Sequence, residues 1–183
     1  MKDIGKSADK NTSWLGGIID GEGTIAMNKA NHKDGHVSYH PEIIITNMDI
    51  LIINNVRDAI KEFTGCFLFK KQTKNGICFQ VGVNGMKRCK TLLQAILPYL
   101  HGIKLYRAQV LIAWINYRFS LPSHSKQDAI DVEVNNMFRS INLRDYMLNS
   151  KEQNLDEEIV RSSQKCEELV RNVQVLLNQV EQQ

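Results

Sequence analysis

Ser13-Trp14-Leu15-Gly16-Gly17-Ile18-Ile19-Asp20-Gly21-Glu22-Gly23-Thr24-Ile25 opens as an apolar helical turn with two adjacent glycines. It ends in two carboxylates set among glycines and then enters a β-rich run. Asp9 to Ser13 offer N-caps, so the helix is expected to begin there and to end near Gly21. Residues 1–10 are polar and expected to form a flexible extension. Asp20 and Glu22 are then expected just beyond the last turn. Beside the carbonyls of a helix C-terminus they make an oxygen-only site for a hard cation. The alternative is that Asp20 caps the loop and Glu22 is merely exposed. Gly17 and Gly21 are four apart, on one helix face, with Gly16 adjacent. Glycine inside a helix costs about 1 kcal/mol relative to alanine, tolerable where another backbone approaches closely. That backbone is a partner helix or the chain's own sheet.

Outward from this stretch the periodicity changes. Thr24–Lys29 alternates as a strand, Asn31–Gly35 is a polar loop turning at Asp34-Gly35, and Val37–Asn47 returns as a second strand. Asp49 caps a helix reaching about Phe63, with Ile52, Ile53, Val56, Ile60 and Phe63 at helical spacing. Cys66–Gln72 and Ile77–Val83 read as a second hairpin turning at Lys74-Asn75-Gly76. Met86–Leu97 is amphipathic, Ile103–Leu121 is nearly all apolar and is broken by Pro122-Ser123, and Gln127–Ile141 is a shorter helix. Leu155–Val180 carries two interleaved heptad sets, Ile159, Cys166, Val173, Val180 and Leu155, Ser162, Leu169, Leu176. The tail docks on its own domain or forms a dimeric coiled coil. The order is αββαββα plus a helical tail: an α+β fold with a four-stranded antiparallel sheet and helices on one face. The expected organisation is an extension at 1–10, a core domain at 11–145 and a C-terminal helical tail at 146–183.

The 183 residues carry a formal charge of +3, unevenly spread. Residues 49–110 hold ten basic and three acidic side chains, a surplus of seven. That pattern suggests a polyanion-binding surface, nucleic acid first, with a solvated lysine-rich face as the alternative. Four cysteines without a C-x-x-C pair read as reduced thiols of an intracellular protein, whether of cytoplasm, mitochondrion or chloroplast. No apolar run approaches membrane-spanning length, and the N-terminus lacks the apolar core of a secretory signal, so no membrane partner is expected.

His32, His36 and His40 fall in a hairpin, where residues four apart lie about 13 Å from one another, too far for one metal ion. They read better as groups on an open sheet face. By alternation that face carries Thr24, Ala26, Asn28 and His32, then Ser38, His40 and Glu42. The second hairpin adds Lys70, Gln72 and Lys74 near its turn, then Cys78 and Gln80. Such a mixed polar surface suits base edges in a major groove. Lys71, Lys74, Lys87, Arg88 and Lys90 are placed to meet phosphates.

Trp14-Leu15-Gly16-Gly17-Ile18-Ile19-Asp20-Gly21-Glu22-Gly23 resembles the LAGLIDADG motif of homing endonucleases. Leu15, Gly17, Ile19, Asp20 and Gly23 match its letters, and Glu22 stands where Asp is more usual. The element order resembles that family's fold. So does Leu97-Pro98-Tyr99-Leu100 with Ile103-Lys104 and Arg107-Ala108-Gln109, the segment carrying a catalytic lysine. Phe119-Ser120-Leu121-Pro122-Ser123 resembles the helix break that follows. The resemblance covers about residues 10–145.

The resemblance implies a saddle-shaped sheet and a homodimer whose motif helices pack through Leu15, Gly16, Gly17, Ile18 and Gly21. It implies a site-specific, intron-encoded endonuclease cutting a long pseudo-palindromic double-stranded DNA. Glu22 and the Gly21 carbonyl would bind Mg²⁺, or another divalent cation such as Mn²⁺. Lys104 and Asn47 would act on the attacking solvent, and Asp20 would hold the helix end. A basic residue expected near Leu51 is missing, with Arg57 a distant substitute. An RNA-splicing maturase and a non-cleaving DNA-binding protein are the rival functions on this fold. Glu22 and Lys104 favour the nuclease.

Overall fold

The computed structural model describes residues 4–74, 76–122, 125, 129–141 and 155–181, with side chains from residue 11 and, in the last helix, over 163–179. Asn75, Ser123, Gln127 and residues 142–154, where the expected core domain and tail join, lie outside the described residues. The elements are α1 (Ile4–Glu22), β1 (Gly23–Asn31), β2 (Val37–Asn47), α2 (Ile50–Lys61), β3 (Phe67–Thr73) and β4 (Gly76–Asn84). Then come α3 (Met86–Ile96), a 3₁₀ turn (Leu97–Tyr99), α4 (Gly102–Ser120), α5 (Ala129–Ser140) and α6 (Leu155–Glu181). The αββαββα order read from the sequence is the order observed. One boundary differs: α1 starts at Ile4, inside the segment expected to be an extension, and runs through Glu22. Asp20 and Glu22 therefore belong to its last turn and do not lie beyond it.

The strands form one sheet in the order β1-β2-β4-β3. Contacts divide the chain into two compact units, Met1–Lys29 with His40–Leu100, and Ala30–Tyr39 with His101–Gln183.

In the first unit the strand register sorts the side chains. Ile43 opposes Val83 and Ile45 opposes Val81, all four buried. Ile25 and Met27 of β1 are buried too. Helix α2 adds Ile53, Val56, Ala59 and Ile60, and α3 adds Cys89, Leu92, Leu93 and Ile96. Both helices pack on β4. Asp49 caps α2 as expected, its carboxylate accepting from the Leu51 N–H at 2.7 Å. Asn47 in turn accepts from the Asp49 N–H at 2.8 Å, so the strand-to-helix corner is held by two consecutive side chains. All four cysteines are free thiols. Burial pushes the Cys89 thiol up to about 12, reinforced by the Glu42 carboxylate.

In the second unit α4 carries the large buried side chains Leu111, Trp114, Ile115 and Tyr117. A buried polar group sits among them: Asp131 of α5 accepts from Trp114 Nε1 at 2.6 Å and from Arg118 Nη1 at 3.2 Å. Arg118 Nη2 donates to the Ser125 carbonyl at 2.6 Å. Helix α6 packs on α4 and α5, so the tail docks on its own chain. Its buried side chains are Cys166, Val170, Val173 and Leu177. The first heptad set is confirmed at Cys166 and Val173. The second is displaced by one residue, since Val170 and Leu177 are buried while Leu169 and Leu176 are half-buried. The side chains of Leu155, Ile159, Ser162 and Val180 lie outside the described residues. The tip of the first hairpin is closed by the His32 N–H donating to the His36 carbonyl at 2.8 Å, and Gly35 takes a φ of 81° there. The His32 and His36 rings stack with centroids 5.4 Å apart, and His32 Nε2 pairs with Ser38 Oγ at 2.7 Å.

Candidate functional site

Helix α1 is two-sided over its last three turns. Leu15 and Ile19 are fully buried. Gly16 is buried beside them, and a Cβ on it would sit 2.5 Å from Tyr99 Cβ. These residues seal α1 onto α2, α3 and the 3₁₀ turn. The opposite stripe is bare: Gly17 and Gly21 are exposed, and a Cβ on either would meet nothing within 4 Å. Ile18 is half-buried on that stripe, and Trp14 stands 42% exposed one turn before it. The structure thus divides the five residues expected at a helix seam. Leu15 and Gly16 are used up inside the chain, whereas Gly17, Ile18 and Gly21 face outward. The sequence reading missed Trp14, which helical periodicity places on the same stripe.

At the tip, Glu22 is the last helical residue and is exposed, while Asp20 is half-buried. A helix C-terminus carries the negative end of the macrodipole, which together with a carboxylate favours a cation. β1 starts at the next residue, and Gly23 is there because a Cβ would fall 2.7 Å from the Ile19 carbonyl oxygen and 2.8 Å from its Cα. The acid is therefore joined to the sheet with no intervening loop. Among the described residues no three His, Cys, Asp or Glu side chains gather as a metal-holding group.

The other expected catalytic groups are placed as follows. Asn47 ends β2, half-buried, its Oδ1 engaged by the Asp49 N–H. Lys104 lies in the first turn of α4, half-buried, in the second unit. Leu51 is 69% exposed. Arg57 donates to Asp58 Oδ1 at 3.1 Å and holds the Asp58 carboxyl below the usual carboxylate range.

The helix-free face of the sheet agrees with the expected alternation on three strands and departs from it on one. Thr24 and Asn28 are exposed on β1 and Ala26 is half-buried. Asn28 Nδ2 donates to Glu42 Oε2 at 2.6 Å, which ties the even-numbered faces of β1 and β2 together. His40 is exposed and Ser38 is buried beneath His32. Thr46 opposes Gln80 on this face. On β3 the parity is reversed. Lys70 opposes Phe79 and Gln72 opposes Ile77, which puts them on the helix side, whereas Phe67, Phe69 and Lys71 oppose Gly82, Gln80 and Cys78. Alternation along the sequence puts Lys70 and Gln72 on the open face. But β3 is an edge strand whose far end is exposed on both sides, so Lys70 and Gln72 reach water from the helix side. Cys78 is 9% exposed and Lys74 is exposed in the turn.

No helix among the described residues is long and apolar enough to cross a membrane. No protein-family model matches the chain, and no curated protein matches it in sequence. Solved structures do match. The homing endonuclease I-CvuI, in complex with the I-CreI target, aligns with a TM-score of 0.51 at 15% identity over 96% of this chain and 97% of that one. I-TnaI, also a homing endonuclease, gives 0.52 at 14% identity over 85% of this chain and 97% of its own. The LAGLIDADG homing endonuclease I-SmaMI bound to cleaved DNA gives 0.54 at 16% identity, over 85% of this chain but 48% of that one. The chain thus has the fold of the LAGLIDADG homing endonucleases, matching nearly the whole of I-CvuI and I-TnaI and about half of I-SmaMI.

Proposed function

We propose that this chain is a site-specific double-strand DNA endonuclease that works as a homodimer on a pseudo-palindromic target. The observation that carries this reading is the division of α1, with one face spent in the chain's own core and the other stripped to glycine, ending in an exposed Glu22. Two such helices crossing at Gly17 and Gly21 approach closely and bring two Glu22 tips together on the dyad. Among the described residues no three His, Cys, Asp or Glu side chains of one chain gather at a metal site; a second Glu22, the helix-end carbonyls and DNA phosphates would complete the set for a hard cation. When bound there, Mg²⁺ or Mn²⁺ supplies water activation and stabilisation of the leaving 3′ oxygen.

The chain's own residues do the rest. Glu22 is positioned by the rigid join to β1. The sheet lies along the major groove and fixes the phosphates relative to that acid. Lys104 offsets phosphate charge or polarises the attacking water. Asn47 Oδ1 accepts from the Asp49 N–H, and its amide NH₂ would act on the attacking solvent.

The test is Glu22→Gln. Duplexes selected by the wild-type protein from a random pool should be cut in Mg²⁺. The variant should bind them with unchanged affinity and leave them intact. Comparable turnover by the variant would remove Glu22 from the chemistry. A wild-type protein that binds duplex DNA and never cuts it, in Mg²⁺ or Mn²⁺, would favour the non-cleaving binder.

A further inference from the structure

The register gives the open face a composition that the sequence alternation concealed. Residues directly opposite one another in a sheet share a face. Across β2, β4 and β3 the rows read Ile44–Gly82–Phe67, then Thr46–Gln80–Phe69, then Cys78 with Lys71. Phe67 lies across Gly82, where any Cβ would collide with the Phe67 ring. Phe69 stands in the next row with half its surface, 52%, in solvent. A sheet face that only met water would gain nothing from this ring or from a glycine inside β4.

The occupant must offer apolar groups among hydrogen-bonding ones, and it must be anionic. On this face Lys71 stands in the Cys78 row and Lys74 follows in the turn, and residues 67–84 contain no acidic residue. The major groove meets both requirements: thymine places a C5-methyl beside acceptor and donor edges, and phosphates flank it. We propose that Phe69, backed by the Phe67–Gly82–Ile44 row, reads thymine methyl groups, biasing the target half-sites toward thymine where β3 meets the groove. This rests on the reading of the sheet as a DNA-contacting surface.

The experiment uses the full chain in EDTA, so that binding is read without cutting. Duplexes are enriched from a random-sequence pool, and each thymine of an enriched duplex is then replaced singly by deoxyuridine, which removes only the methyl. At one or two positions per half-site the wild-type protein should bind the uridine duplex about fourfold more weakly, the value of one buried methyl. Phe69→Ser should bind the two duplexes alike. Enrichment of defined sequences without any uridine-sensitive position would overturn the inference and leave the DNA-reading sheet standing. So would a Phe69→Ser protein that keeps the full thymine preference, or one that changes only its sedimentation, which would make Phe69 a protein contact. Enrichment of no sequence at all would defeat the DNA-reading sheet itself.

Discussion

Gly16 and Gly17 are neighbours in one helix, yet the same substitution should move stability in opposite directions. Glycine to alanine inside a helix gains up to about 1 kcal/mol of propensity at either position. That gain cancels in the comparison and leaves packing alone. At Gly16 the new methyl sits 2.5 Å from Tyr99 Cβ and 3.6 Å from the Ile96 carbonyl oxygen. Carbon atoms pack at about 3.5–4.0 Å, so Tyr99 must retreat by roughly 1 Å. A Cβ cannot be moved by changing rotamer, so the 3₁₀ turn itself has to shift. Overpacking of this kind costs about 1–3 kcal/mol. At Gly17 a methyl meets nothing within 4 Å. Gly17→Ala should therefore be more stable than Gly16→Ala by about 1–3 kcal/mol. In thermal terms the two separate by about 2–4 °C for each kcal/mol in a chain of this size. Urea denaturation followed by far-ultraviolet circular dichroism would measure the gap, at a protein concentration low enough to keep subunits apart. Coincident midpoints would refute the assignment of Gly16 to the inner face and Gly17 to the outer one.

Other sites give sharp expectations. Gly17→Leu should abolish dimer formation in light scattering while the chain stays folded; an intact dimer would place the seam elsewhere. Asp49→Ala removes the cap on Leu51 N–H and should cost about 1 kcal/mol in denaturation. Asp131→Ala leaves the buried Arg118 guanidinium without its carboxylate and should cost about 3–5 kcal/mol, read from the urea midpoint. The Cys89 thiol is raised from the usual value near 9 to about 12, so the folded state holds its proton more tightly than the unfolded chain does. The stability this contributes is complete below pH 9 and is lost as pH rises toward 12. Iodoacetamide at pH 8 should accordingly spare Cys89 until the protein unfolds, as mass spectrometry of the labelled peptides would report.

Most of the fold is legible in the sequence because its signals are local. Asp49 before an amphipathic run, alternation over Val37–Asn47 and helical spacing over Met86–Ile96 each declare an element within a dozen residues. Three features are not legible because their partners are distant. Gly16 owes its identity to Tyr99 in a separate element. The Asp131 carboxylate answers Trp114 and Arg118 across two helices, with no pattern linking them in the chain. The parity of β3 is set by its pairing with β4, and the run Phe67-Leu68-Phe69-Lys70-Lys71 contains no alternation from which it could be read. In the candidate site, Glu22 was visible as an acid among glycines. The separation of Leu15 and Gly16 from Gly17, Ile18 and Gly21 emerged only once burial was known.

The junction at Gly23 makes the spacing between Ile19 and Thr24 a fixed ruler. Its backbone is pressed against Ile19, and no loop residue stands between helix and strand. An inserted or deleted residue here has no slack to absorb it. If the helix took up the change, Glu22 would swing by about 100° around the axis. If the strand took it up, Ile25 and Met27 would exchange places with Thr24 and Ala26. Either way a change in length costs the placement of the acid or of the strand's core residues. Descendants of this chain are expected to keep the number of residues between Ile19 and Thr24.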